Sequence, residues 1–288
     1  MKKQTFAIIS IIAVFIIFFA GCMKFALKLS PSLFPDLSAS FFEECDAMLA
    51  KNSMPANLKM LEGLLKSDPA NRRILKTLSM GFCGYSMLFV EGDSDERASG
   101  LYRRARDYGL NALGFSVEIP HAIDPKKIEA LLKKIDKEDI EVLLWTTLSW
   151  KAWINLNLDK PAALAQLRSS DACLERMLEA DADYLHGLPY ILMGISLSAR
   201  PRIFGGDSEK AREFFEKALT LGKRKFFLAH YYYAKYYAVR IQDRGLFDRL
   251  IGEISRGDPG ELKEVCLINT VIREKAEELK ETADELFY

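Results

Sequence analysis

The stretch LSMGFCGYSMLFVEGDSDERASGLYRRARDYG, residues 78–109, lies over ILMGISLSARPRIFGGDSEKAREFFEKALTLG, residues 191–222, at a shift of 113 with no gap. From 57/170 to 109/222, twelve of the 53 aligned pairs are identical, among them Met80/Met193, Gly81/Gly194, Gly92/Gly205, Glu96/Glu209, Ala98/Ala211, Ala105/Ala218 and Gly109/Gly222. The pairs Leu78/Ile191, Val90/Ile203, Arg97/Lys210 and Tyr102/Phe215 keep the residue class. Each copy reads as an apolar helix, a glycine-bearing turn and a second helix. Ala98, Tyr102 and Ala105, like Ala211, Phe215 and Ala218, recur at spacings of four and three, which puts small, aromatic and small residues on one helical face. An internal duplication of a helix–turn–helix unit follows.

Outward from this repeat the pattern stays helical. Apolar residues recur with the helical period near 41–51, 56–67, 72–90, 94–113, 125–134, 138–157, 168–180, 185–199, 207–221, 225–241, 245–255 and 262–286. Asp124-Pro125 has the form of an N-cap with proline at the first helical position. Asp68-Pro69, Asp258-Pro259 and Gly222 mark breaks. No segment alternates like a strand, so an all-α chain is expected. Small residues that let two helices approach, with an aromatic filling the gap to the next pair, resemble the tetratricopeptide repeat, a unit of about 34 residues. The turns Met87–Ser94 and Arg200–Asp207 are longer than that repeat allows, so the expected architecture is a compact α-solenoid of degenerate tetratricopeptide-like pairs.

The N-terminus points to export. Met1-Lys2-Lys3 precedes a charge-free run of 16 residues, Phe6 to Gly21, shorter than the roughly 20 a spanning helix needs. The run ends in Phe19-Ala20-Gly21-Cys22, small residues before a cysteine, as in a secretory signal peptide. It resembles the lipobox of bacterial lipoproteins, in which Cys22 would carry the lipid and become the mature N-terminus; a plain signal anchor is the alternative. The expected organisation is a signal peptide over 1–21, a lipidated N-terminus and tether over 22–40, and a helical domain over 41–288.

Forty basic and forty acidic residues leave no net charge, so no global field would draw nucleic acid. Cys45, Cys83, Cys173 and Cys266 show no C-x-x-C spacing; an exported protein could pair them, but all four sit in apolar helical surroundings, which reads as buried free thiols. His121, His186 and His230 are scattered, with no metal-ligand spacing. No phosphate loop, nucleophile elbow or H-E-x-x-H run occurs, and the paired acids Glu43-Glu44 and Glu277-Glu278 belong to charged helical stretches. The expectation is a non-enzymatic protein without cofactor or metal; a hydrolase with two carboxylates assembled in space is the third reading.

Three places could contact a ligand or partner. Gly205-Gly206-Asp207 could cradle an anion at a helix N-terminus or serve as a turn with Asp207 or Ser208 as N-cap. Arg200 and Arg202 have no basic counterparts in the first copy, which has Met87 and Phe89 there. The stretch WTTLSWKAW holds Trp145 and Trp150, and FFLAHYYYAKYYAV holds Tyr233 and Tyr237 with aromatics all around the helix. Such a helix either packs wholly in the core or packs one side and wets the other along a pore.

Taken together, the lipobox, the segment from Asp68 to Leu113 and the segment from Ser198 to Val239 resemble the T-component of tripartite ATP-independent periplasmic (TRAP) transporters. The strongest markers are Ala199-Arg200-Pro201 through Gly205-Gly206-Asp207, the Lys210-Ala211…Phe215…Ala218-Leu219 helix, and Arg104 to Gly109. Met177 and Ala180-Asp181-Ala182 depart from the family's Ala-Leu-x-Leu-Asp-Pro pattern. The resemblance implies a lipid-anchored periplasmic subunit, a homotrimer with a pore through each protomer, and association with the transporter's substrate-binding protein. A general tetratricopeptide lipoprotein that binds client peptides in envelope assembly is the alternative.

Overall fold

The computed structural model describes residues 33–115 and 124–288. The signal segment, Cys22 and His121 lie outside the described residues. Among those described, the chain is helical and contains no strand. Helix α1 spans Leu33–Phe42, α2 Ala47–Ser67, α3 Arg72–Phe89 and α4 Asp95–Ala112. Next come α5 Pro125–Leu132, α6 Ile140–Asn155, a single turn α7 Pro161–Leu164 and α8 Leu167–Asp181. The second half runs through α9 Tyr184–Ala199, α10 Ser208–Leu221, α11 Phe227–Tyr232, α12 Arg244–Arg256, α13 Cys266–Glu281 and α14 Ala283–Leu286. Helix α11 continues into a π-helical stretch, Tyr233–Ala238.

The caps account for most helix starts. Asp46, Asn71, Asp207 and Asp243 each accept a hydrogen bond from a backbone N–H three residues on, and Asp124 accepts one from Lys126 ahead of Pro125. Two sequence boundaries move. The chain breaks at Cys45-Asp46, and Pro55 falls inside α2 rather than between two helices. A proline there removes one helical bond. Ala50, Met54, Leu58 and Leu61 lie on one buried face of α2, and that shared burial carries the helix through. Residues 33–40, read from sequence as tether, belong to α1, which packs against α3 and α13.

The duplicated units fold as closely packed pairs, α3 with α4 and α9 with α10. Ala98, Tyr102 and Ala105 are all fully buried, as are Ala211, Phe215 and Ala218. The aligned glycines differ in what they accommodate. A Cβ on Gly194 would meet the Phe215 ring at 2.8 Å, whereas one on Gly81 would meet Leu58 of the preceding helix at 2.5 Å. Equivalent sequence positions thus relieve crowding between different helix pairs.

The last long helix returns to the first. Helix α13 packs on α11 and α12 and also on α1, α2 and α3. Cys45 and Cys266, 221 residues apart, form a disulfide with Cα atoms 5.2 Å apart. Lys275 Nζ donates to the Glu91 carbonyl at 3.0 Å across the same seam. The expectation of four free thiols is therefore corrected: of those four, Cys83 and Cys173 are free and buried. The partner of Cys45 lies at the far end of the chain, where neither spacing nor local apolarity could indicate it.

Candidate functional site

The two duplicated turns carry left-handed glycines, Gly92 at φ 98° and Gly205 at φ 85°. In the second turn the Gly205 N–H donates to the Arg202 carbonyl, Gly206 N–H to Pro201 and Asp207 N–H to Leu197. Asp207 Oδ1 accepts from Lys210 N–H at 3.0 Å. A Cβ on Gly206 would collide with the Arg200 carbonyl. The amides of Gly205, Gly206, Asp207 and Lys210 are thus already bonded within the protein. This is a structural turn with Asp207 as N-cap.

Both turns border one cavity of about 1060 Å³. Glu91 of the first and Arg200-Pro201 of the second face it, together with Tyr102 of α4, Leu148, Lys151 and Ile154 of α6, Asp171 of α8, Leu192 and Ile195 of α9, and Tyr232 and Tyr236. The wall is mostly apolar; besides the Arg168–Glu129 pair, 3.7 Å apart, and Glu175, it carries two charged groupings. In one, Lys151 Nζ and Arg200 NH2 each lie 2.6 Å from the same oxygen, Asp171 Oδ1. Burial would raise the Asp171 carboxyl, but the hydrogen bonds and charges of Arg200 and Lys151 outweigh it and hold the group below its ordinary value. Burial pulls the Lys151 ammonium below its ordinary range, and Asp171 offsets that only in part. In the other grouping, Tyr102 donates its hydroxyl to Glu91 Oε2. Burial and the Glu91 charge push the Tyr102 and Tyr232 phenols well above their usual value.

The residues singled out from sequence divide by burial. Arg200 faces the cavity. Arg202 is exposed in the single 3-10 turn Arg202–Phe204 and is not part of the wall. Trp145 is buried and stacks on Phe42 with centroids 5.7 Å apart. Trp150 is fully buried, and its Nε1–H donates to Gln166 Oε1 at 2.9 Å, the same oxygen that accepts from the buried Arg106. Tyr233 stacks on Phe215 at 4.8 Å and donates its hydroxyl to Glu216 Oε1 at 3.1 Å. Tyr237 packs edge-on to the same ring. The neighbouring Tyr232 and Tyr236 are the tyrosines of this helix that reach the cavity.

Sequence reading missed Lys151, Asp171 and Glu91. One signal was present: Lys151 is the lone charged residue between Leu143 and Leu158, within an otherwise apolar or uncharged run. The histidines take separate structural roles, His186 beside Glu264 at 3.2 Å and His230, buried, beside Glu253 at 3.1 Å. Burial raises the thiols of Cys83 and Cys173 to about 12, so neither is a ready nucleophile. Among the described residues, no group of three or more His, Cys, Asp or Glu side chains could hold a metal. None of their helices is long and apolar enough to cross a membrane.

These features define an all-helical protein of paired helices built around one large, partly charged cavity. A model of the TRAP transporter T-component family matches residues 43–287, and the chain belongs to that family. The family is a transport accessory subunit, not an enzyme family. A relative in Treponema pallidum (strain Nichols), described as an uncharacterized protein, is 24% identical over 271 residues, covering 88% of this chain and 84% of that one.

Proposed function

We propose that this protein is a lipid-anchored periplasmic accessory subunit of a TRAP transporter, docking the substrate-binding protein and passing its ligand through the cavity. Cys22 carries the lipid, and the helical body stands in the periplasm as degenerate tetratricopeptide-like pairs assembled into a homotrimer. The observation that carries the reading is the cavity itself: about 1060 Å³ of mostly apolar space, where a helical scaffold needs none. The Cys45–Cys266 bond supports an oxidising compartment. Exposed Leu158 and Leu164 on the cavity wall offer apolar surface where a docked partner would meet its opening.

Two measurements test it together. Pull-down from native membranes should recover a TRAP substrate-binding protein, and its repeated absence at high concentration counts against docking. Ala152→Trp and Ala199→Trp, which place bulk on the cavity wall, should abolish ligand uptake while leaving the complex intact. Undiminished uptake would overturn passage through the cavity.

A further inference from the structure

Glu91 of one grouping and Arg200 of the other come from the turns of the two copies of the duplicated unit, and they carry opposite signs. Glu91 stands in the first turn, where the second copy has Phe204; Arg200 stands in the second, where the first has Met87. Each turn thus presents a charge at a position the other leaves apolar, and both charges face the same chamber. Lys151 and Arg200 share the single carboxylate of Asp171, so these three side chains carry one excess positive charge, with Glu175 as a further carboxylate on the same wall. Among the described residues no cation lies within ion-pair reach of the Glu91 carboxylate. Lys275 reaches the Glu91 main-chain carbonyl, where the Glu91 charge partly offsets the burial of its ammonium, and Tyr102 supplies the one hydrogen bond to the carboxylate.

The surroundings of Glu91 suit a cation. Tyr232 and Tyr236, with ring centroids 5.5 Å apart, stand on the same wall, and no hydrogen bond to another described residue occupies their hydroxyls. Aromatic faces beside a carboxylate attract an ammonium group, the more so away from water, and Lys235 Nζ already lies 5.6 Å from the Tyr236 ring centroid. Arg200 and Lys151 suit an anion. Leu192 and Ile195 add apolar wall to the same chamber.

Resting on the cavity reading above, we infer that the ligand is zwitterionic: a cationic group against Glu91, Tyr232 and Tyr236, an acidic group against Arg200 and Lys151, and an apolar body along Leu192 and Ile195. A ligand with one charge desolvates the other grouping without adding a counter-charge to it, so both ends discriminate.

Isothermal titration of the full chain at neutral pH tests this with ω-amino acids of six, eight and twelve carbons. Each is compared with the straight-chain acid and the straight-chain amine of the same length. At the best length the ω-amino acid should bind at least about tenfold tighter than either singly charged analogue. Glu91→Gln should erase the preference over the acid, and Arg200→Gln the preference over the amine, with circular dichroism melts verifying that the variants fold. The wild-type selectivity series decides the matter even if a variant does not fold. Equal affinity for acid, amine and amino acid, or no binding of any amino acid, overturns the proposal. Binding of the acid alone leaves the cavity as a ligand path and removes only the zwitterion. A clear amino-acid preference with no recoverable transporter partner removes docking and leaves this inference standing.

Discussion

Gly206 shows how one hydrogen atom in place of a methyl group sets the second turn. Gly206→Ala would drive a Cβ into the Arg200 carbonyl, so denaturant titration should show a loss of about 1–3 kcal/mol. The paired tyrosines make a second comparison. Tyr233→Phe removes a hydroxyl bonded to Glu216 and should cost about 1 kcal/mol, whereas Tyr232→Phe removes a hydroxyl with no hydrogen bond to another described residue and should leave stability nearly unchanged. Asp171 links stability to pH. Its folded carboxyl is held below its ordinary value, so the folded state binds fewer protons than the unfolded one. Its contribution is present above the ordinary carboxylate range and is lost as pH falls below about 4. Urea titrations from neutral pH to pH 3 should show a smaller acid loss in Asp171→Asn than in the natural protein; identical slopes would mean that the cluster contributes nothing.

Helices were legible where their signals are local. Asp124-Pro125, Asp207 and the 98/102/105 and 211/215/218 faces could be read from the chain, because caps and amphipathic stripes depend on neighbours one to four residues away. Which side of the tyrosine helix faces the cavity was not legible. Aromatics surround that helix, and its passage from α-helical to π-helical winding at Tyr233 turns the later side chains to a different angle from that of a regular helix. Burial of Tyr233 and Tyr237 against Phe215 leaves Tyr232 and Tyr236 for the cavity. The seam between α1, α2 and α13 rests on the Cys45–Cys266 bond. Closing so long a loop is worth on the order of 5 kcal/mol by chain entropy, so the Cys45→Ser/Cys266→Ala variant should melt well below the oxidised natural protein. Limited proteolysis of that variant should cut first in the segment from α1 to Asp46.

The cavity lies where the duplicated halves meet, bordered by a turn from each. Helix α13 packs back on α1, α2 and α3, and the turns of both copies border one open cavity. A core of side chains spans both halves, so the cavity is framed by a continuous packed body. The proposed assembly is tested by analytical ultracentrifugation of the chain without its lipid. One species of three times the monomer mass is expected, and a monomer at all concentrations used would refute the trimer. Adding the substrate-binding protein should then shift that species by one partner per protomer.

Membership of the TRAP T-component family, the all-helical class, the duplication and the Asp207 turn were contained in the order of residues. Each depends on periodicity, capping or similarity along the chain, and such signals survive without coordinates. The disulfide, the cavity and the opposite charges upon its wall were not. Cys45 meets Cys266, Lys151 and Arg200 meet Asp171, and Glu91 meets Tyr102. Most of these meetings depend on how helices far apart in sequence cross, an outcome of packing the shared core. Even the short-range contact of Glu91 with Tyr102 acquires meaning only from the cavity it borders. Arg200, singled out by its lack of a basic counterpart, is the residue at which the two kinds of information join.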